Sequence, residues 1–302
     1  MVRLRLDIAY DGSGFHGWTR QPGLRTVQGE LETALATVFR RFGEPPTLTV
    51  AGRTDAGVHA TGQVAHLDLD DAQFASLRRP GRGGRSPLPP GEALARRLNG
   101  IAGLDADVWV ARADVAPDGF DARFGAIWRR YEYRIADTRA PRNPVERVNT
   151  LWYPGELDER ELNSAAASVV GLHDFAAYCK PREEATTIRT LQDFRWRRLD
   201  SGVLLAELQA DAFCHSMVRA LVGTSLAVGD GRVPAERMRE VLDSRDRSGA
   251  YPVAAAKGLT LVAVGYPPDS ELAARAEQTR NRRQEHEVSS SAVDRPSSEA
   301  LK

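Results

Sequence analysis

Between Val50 and Val58 the sequence reads VAGRTDAGV, which sets one guanidinium, Arg53, and one carboxylate, Asp55, between Gly52 and Gly57. Residues two apart in an extended stretch point to the same side, so Arg53 and Asp55 are expected to face one cleft. A cation beside a carboxylate favours the ionised form, lowering its pKa by ~1–3 units. An ionised carboxylate at neutral pH can serve as a nucleophile or a base. The flanking glycines allow a bend, or a close approach of backbone to a ligand, where a β-carbon would clash. The same residues also fit a structural Asp that caps a turn beside a surface Arg, and the pattern by itself leaves both readings open.

Other candidate groups are sparser. His59 and His66 have no second ligand pair at metal spacing and are expected in turn and sheet roles. Cys179 and Cys214 lie far apart, form no CxxC pair and are expected as reduced thiols. Gly12, Gly14 and Gly17 spell GxGxxG after a strand, but Trp18-Thr-Arg-Gln-Pro22-Gly23 does not open a helix, and no acid ends a second strand at the required distance. A nicotinamide-dependent oxidoreductase is thereby set aside. Those glycines fit a flexible loop carrying Phe15, His16 and Trp18, open to a ligand, or a surface turn over a packed Trp18.

Charge points to RNA only locally. Lys plus Arg and Asp plus Glu are each 41, so the net charge is zero. From Arg78 to Arg97, six arginines (78, 79, 82, 85, 96, 97) face one acid, Glu92, a local balance of +5. A second basic stretch, Arg123, Arg129, Arg130 and Arg134, surrounds Tyr131. Arginines beside an aromatic suit phosphates and bases, although a charge run also fits a plain solvated face.

The elements that must position these groups follow from periodicity. Val2, Leu4, Leu6 and Ile8 alternate with polar residues as in a strand with one buried face, and Thr26 is placed to cap a helix in which Val27, Leu31, Leu35, Val38 and Phe39 recur at helical spacing. Strand 47–51 leads into the Arg53–Asp55 turn and strand 62–69 returns from it. A Pro/Gly/Arg-rich loop, 79–91, precedes a helix at 92–101 and a strand at 107–112. The first half thus reads β-α-β-β-α-β, the split βαβ pattern of ferredoxin-like folds. The second half repeats that plan loosely. Its strand at 125–136 sets Ile127, Arg129, Tyr131, Tyr133 and Ile135 on one face. A helix at 158–170, strands at 189–198 and 203–211, helices at 213–228 and 234–243 and a strand at 259–265 follow. Residues 269–302 are polar and poor in aromatics, and are expected as a disordered tail that is helical at most at its start. The expected fold is therefore α+β: two ferredoxin-like α/β domains, 1–112 and 113–268, with sheets facing a central cleft, then the tail. No apolar run approaches the ~18 residues a membrane helix needs, and the charged, alternating N-terminus has no signal-peptide core, which reads as cytoplasmic.

Read whole, AGRTDAGVHATGQVAHLD at 51–68 resembles the signature of the tRNA pseudouridine synthase A family. YDGSGFHGW at Tyr10–Trp18, FDARFGAIWRRYEYRI at Phe120–Ile135 and FCHSMVRALVG at Phe213–Gly223 extend the resemblance over most of residues 2 to 266. It implies a cofactor-free and metal-free isomerase that converts uridine to pseudouridine at positions 38, 39 and 40 of the tRNA anticodon stem-loop, working as a homodimer. Asp55 matches the family's catalytic Asp. Tyr131 matches the tyrosine that stacks on the target base, Arg219 the arginine paired with the Asp, and Arg53 is placed to assist nucleotide flipping. Thr19 stands where the family commonly has Gln, and Cys214 and Ser216 replace bulkier residues around Arg219, so substrate contacts there are expected to differ. A non-catalytic RNA-binding module of similar fold is the alternative. An intact RTD turn argues against it, because a carboxylate among phosphates repels them.

Overall fold

The computed structural model describes residues 1–78, 87–181, 186–249 and 251–280. It is a mixed α/β protein whose chain divides into two compact units, and their limits do not coincide with the 112/113 boundary expected from sequence. One unit comprises Met1–Pro154, Arg198–Leu205 and Ala255–Arg280; the other includes Gly155–Arg197 and Ala206–Ala254.

In the first unit, β1 (Val2–Tyr10) buries Leu4, Leu6, Ile8 and Tyr10, the alternation expected of a half-buried strand. The helix α1 (Val27–Phe39) begins where Thr26 accepts a hydrogen bond from the Gly29 amide at 3.2 Å, and buries Leu31, Leu35 and Phe39. A two-residue strand, β2 (Thr49–Val50), enters the turn, and β3 (His59–Leu69) leaves it, beginning three residues earlier than periodicity suggested. A helix that the periodicity reading passed over, α2 (Asp71–Leu77), is held by a capping box between Asp70 and Gln73. The helix α3 (Pro90–Ala102) and the strand β4 (Val108–Val115) complete the segment, with α3 packed on α1 and β4. After β5 (Trp128–Ala136) and the short β6 (Leu151–Trp152), this unit takes its last strand, β10 (Leu259–Gly265), from far along the chain. The order across its sheet is β4-β1-β3-β10-β5, with β2 on β3 and β6 on β5; β10 is parallel to β3 and antiparallel to β5.

The second unit holds α4 (Glu159–Ala167), β7 (Gly171–Asp174), β8 (Ile188–Arg198) up to Arg197, β9 (Leu204–Ala210) from Ala206, α5 (Met217–Gly229) and α6 (Arg237–Ser244), with β9-β8-β7 in that order. Every residue of α5 except Arg219 is buried, the signature of a helix surrounded by its own core.

Two expectations need correction. Cys179 and Cys214 are joined as a disulfide: the turn ending at Tyr178 and the segment before α5 are tied by a hydrogen bond from the Lys180 amide to His215 O at 2.9 Å, and the two Cα atoms lie 5.6 Å apart. The segment from 269 is helical at its start: Asp269–Glu271 forms a 3₁₀ turn and α7 (Leu272–Arg280) follows. Leu272 is buried in a cluster with Ala51, Val64, Phe120 and Ala122, which supplies the apolar contact that composition alone did not suggest. Finally, Phe15 and Trp18 are buried, so their loop does not offer them to RNA, while His16 is exposed. Arg82, Arg85 and residues 281–302 lie outside the described residues. Among the described residues no helix is long and apolar enough to cross a membrane.

Candidate active site

Strand register explains how the site is assembled. Tyr10 pairs with Ala60, Ala60 with Leu261, and Leu261 with Tyr131, so four residues form one row across β1, β3, β10 and β5. All four are buried, and the two inner members are aliphatic and shorter than the tyrosines at the ends. Tyrosines at the ends of such a row can lean over the residues between them, and the Tyr131 phenol does feel Tyr10 and Asp55. Its pKa is raised first by burial and then by those two neighbours, with Arg129 acting in the opposite sense. Tyr131 is therefore a neutral phenol at physiological pH. Arg53, Asp55 and Tyr131 all belong to this one unit.

Arg53 is exposed, Thr54 buried and Asp55 half-buried, so the two charged residues are the more open members of the turn. The backbone between them is tied down on several sides. The Ala51 amide donates to Val64 O at 2.8 Å, and the Arg129 guanidinium donates to Ala51 O at 2.8 Å and to Arg123 O at 2.9 Å. On the far side, the Trp18 amide donates to Thr54 O at 3.0 Å and the Gly57 amide to Phe15 O at 3.2 Å. The loop that spells GxGxxG is thus a brace for the turn. Gly17 has φ +90°, and a β-carbon there would stand 2.9 Å from Thr54 O; one at Gly12 would stand 2.0 Å from Val58 O.

His59 accepts from the Gly12 amide at Nδ1, 3.1 Å away, so a ring protonated at Nε2 also donates to Lys257 O at 3.1 Å. Asp11 Oδ1 lies at the same 3.1 Å from Nδ1. His66 accepts from the Ala122 amide at 3.0 Å, and burial lowers its pKa. Both histidines therefore hold loops to β3. Among the described residues no group of three His, Cys, Asp or Glu is placed to hold a metal ion.

The basic stretch around Tyr131 divides by role. Arg129 is buried and serves the turn, and Arg134 pairs with Glu146 at 3.1 Å. Arg123 lies over Phe124 at 4.9 Å and Arg130 over Trp128 at 5.2 Å, on the more exposed side of the strand. Arg219 lies in the second unit, near the start of α5 after Ser216, whose φ is 64°. It is the only charged residue of that helix, and its Nε donates to Ala254 O at 2.7 Å.

Sequence comparison bears on what this geometry is for. A family model described as tRNA pseudouridine synthase matches residues 165–267. The tRNA pseudouridine synthase A of Leifsonia xyli subsp. xyli is 61% identical over 282 residues, covering 93% of this chain and 98% of that protein. This chain belongs to the tRNA pseudouridine synthase A family. Proteins of that name from Streptomyces griseus subsp. griseus, 53% identical over 281 residues (93% of each chain), and Mycobacterium leprae, 48% identical over 285 residues (93% of this chain, 96% of that one), agree. It is accordingly an isomerase of the pseudouridine synthase class. Tyr10 and Gln63, given no role on sequence grounds, and Arg129, grouped there with the other arginines around Tyr131, are the residues whose side chains hold the turn.

Proposed function

We propose that this protein converts uridine to pseudouridine in tRNA, at positions 38, 39 and 40 of the anticodon stem-loop, with Asp55 as the catalytic carboxylate. The observation that carries the reading is Asp55 on the open side of a turn braced on both flanks, within electrostatic reach of the buried Tyr131 phenol. The reaction breaks the bond from uracil N1 to ribose C1′, turns the base, and joins C1′ to C5; C5 loses a proton and N1 gains one. Asp55 either attacks C1′ or removes a ribose proton, and both routes need an ionised carboxylate held in place. Tyr131 stacks on the detached uracil. Held neutral by burial, its phenol passes a proton only in concert with a group that replaces it. Arg53, exposed beside Asp55, takes the place of the unstacked nucleotide, whose extrusion costs a few kcal/mol. Arg219 pairs with Asp55, as the family resemblance implies.

On this reading the two halves are ferredoxin-like, the protein acts in the cytoplasm as a homodimer, and each tRNA spans both subunits. The test is to incubate the protein with uridine-containing tRNA transcripts and map pseudouridine by position. Modification confined to positions 38–40 is expected. No pseudouridine, or pseudouridine only elsewhere, contradicts the reading.

A further inference from the structure

We propose that Gln63, acting through Tyr10 and Thr54, is a positioning residue that sets the Arg53–Asp55 turn for the chemical step. This rests on the reading of Asp55 as the catalytic carboxylate. Gln63 lies in β3 and is completely buried. Its amide orientation is fixed from behind, because the Val64 N–H donates to Oε1 at 3.2 Å, leaving the NH2 group directed at the turn. From Nε2 it donates to Gly52 O at 2.8 Å and to the Tyr10 hydroxyl oxygen at 3.2 Å. The Tyr10 and Thr54 hydroxyls then share a hydrogen bond of 2.8 Å.

One buried amide therefore holds both flanks of Arg53. It grips the carbonyl of the residue before it directly, and through Tyr10 the side chain of the residue after it, which is also the residue before Asp55. The two amide hydrogens serve two acceptors, Gly52 O and the Tyr10 oxygen, and the Tyr10 hydroxyl is further bonded to that of Thr54. A network of this kind in a buried site specifies one arrangement, since any other leaves polar groups unpaired. Arg53 and Asp55 stay on the open side because Thr54 is held inward. An apolar residue at 54 buries equally well but leaves rotation about the Thr54 backbone unopposed by Tyr10. A misplacement of about 1 Å at a reacting group costs on the order of 100-fold in rate.

The test uses the full-length protein with a tRNA transcript under single-turnover conditions, measuring the rate at saturating enzyme and the dissociation constant separately, with thermal melts to confirm folding. Tyr10→Phe and Thr54→Val each remove the bond between the two hydroxyls while keeping shape, and Tyr10→Phe also removes the one from Gln63 Nε2. Each is expected to slow the chemical step by roughly 10- to 100-fold with tRNA affinity unchanged. The double variant should be no slower than Tyr10→Phe alone, within about threefold, because Thr54→Val removes no bond of this network that Tyr10→Phe has left. Thr54→Ser, which restores a hydroxyl, should recover most of the rate that Thr54→Val loses. Losses that multiply in the double variant, single variants with the parent rate, or an effect on tRNA affinity alone would each overturn the proposal. Asp55→Asn run alongside separates two failures. An active Asp55→Asn protein removes the underlying reading, whereas an inactive one beside a fully active Tyr10→Phe protein removes only the positioning role of Gln63.

Discussion

Gly17→Ala, set against Gly23→Ala, isolates the brace from the general cost of losing a glycine. Both residues have positive φ, +90° and +72°, where an L side chain pays roughly 1–2 kcal/mol. Gly23 has open space around its missing β-carbon, with nothing within 4 Å. At Gly17 the added methyl meets Thr54 O at 2.9 Å, Ala56 N at 3.2 Å and Asp55 C at 3.3 Å, all backbone, so it can be relieved only by moving the turn or the loop. The loop is itself tied there by the Trp18 amide to Thr54 O and by the Val27 amide to Gly17 O. The first variant should therefore lose about 2–4 kcal/mol of stability against about 1–2 for the second. Its single-turnover rate should fall by about 10- to 100-fold while Gly23→Ala turns over as the parent does. Denaturant unfolding and pseudouridine formation on one tRNA transcript read the two effects. Equal rate losses in both variants, or a Gly17→Ala protein with the parent rate, refute the view that this loop sets the position of Asp55.

Tyr131→Phe keeps the ring and removes the hydroxyl; tRNA affinity should hold while the chemical rate falls by about 10- to 1000-fold, and a parent rate would confine Tyr131 to stacking. Stability should decline in alkali: burial holds the Tyr10 phenol at about 12 against an ordinary 10.0, so the unfolded chain releases that proton first. The contribution is complete below pH 10.0 and lost as the pH rises toward 12, and Tyr10→Phe should flatten that part of the denaturation profile. Reducing the Cys179–Cys214 bond, which closes a separation of 35 residues, should cost roughly 2–4 kcal/mol and lower the melting temperature, whereas a melt insensitive to reductant would contradict the pairing.

Local signals were readable in the sequence, and long-range ones were not. Thr26 and the apolar spacing after it announced α1, and the strand at Leu259–Gly265 was plain from its composition. The insertion of that strand between β3 and β5 was hidden, because only two residue pairs, Thr260 with His59 and Leu261 with Ala60, fix its parallel register. The row from Tyr10 to Tyr131 depends on that insertion. Gln63 reads as an ordinary polar position in a strand, since nothing nearby in sequence reveals that Gly52 O and Tyr10 need its donors. Leu272 is one apolar residue in a polar segment, and its burial depends on the distant Phe120 and Ala122. The turn that carries Arg53 and Asp55 was legible because it is contained in one contiguous string, whereas Arg219 was assigned by resemblance alone.

The central claim is that the Asp55 carboxylate performs the chemistry, and Asp55→Asn tests it most directly because it preserves the size of the side chain while removing its charge. Single-turnover formation of pseudouridine should vanish, while tRNA binding survives or tightens, since one negative charge is lost from a surface that meets phosphates. Pseudouridine formed by the Asp55→Asn protein at a rate near that of the parent, with deamidation of the new Asn back to Asp excluded by mass spectrometry, would contradict the assignment of the site.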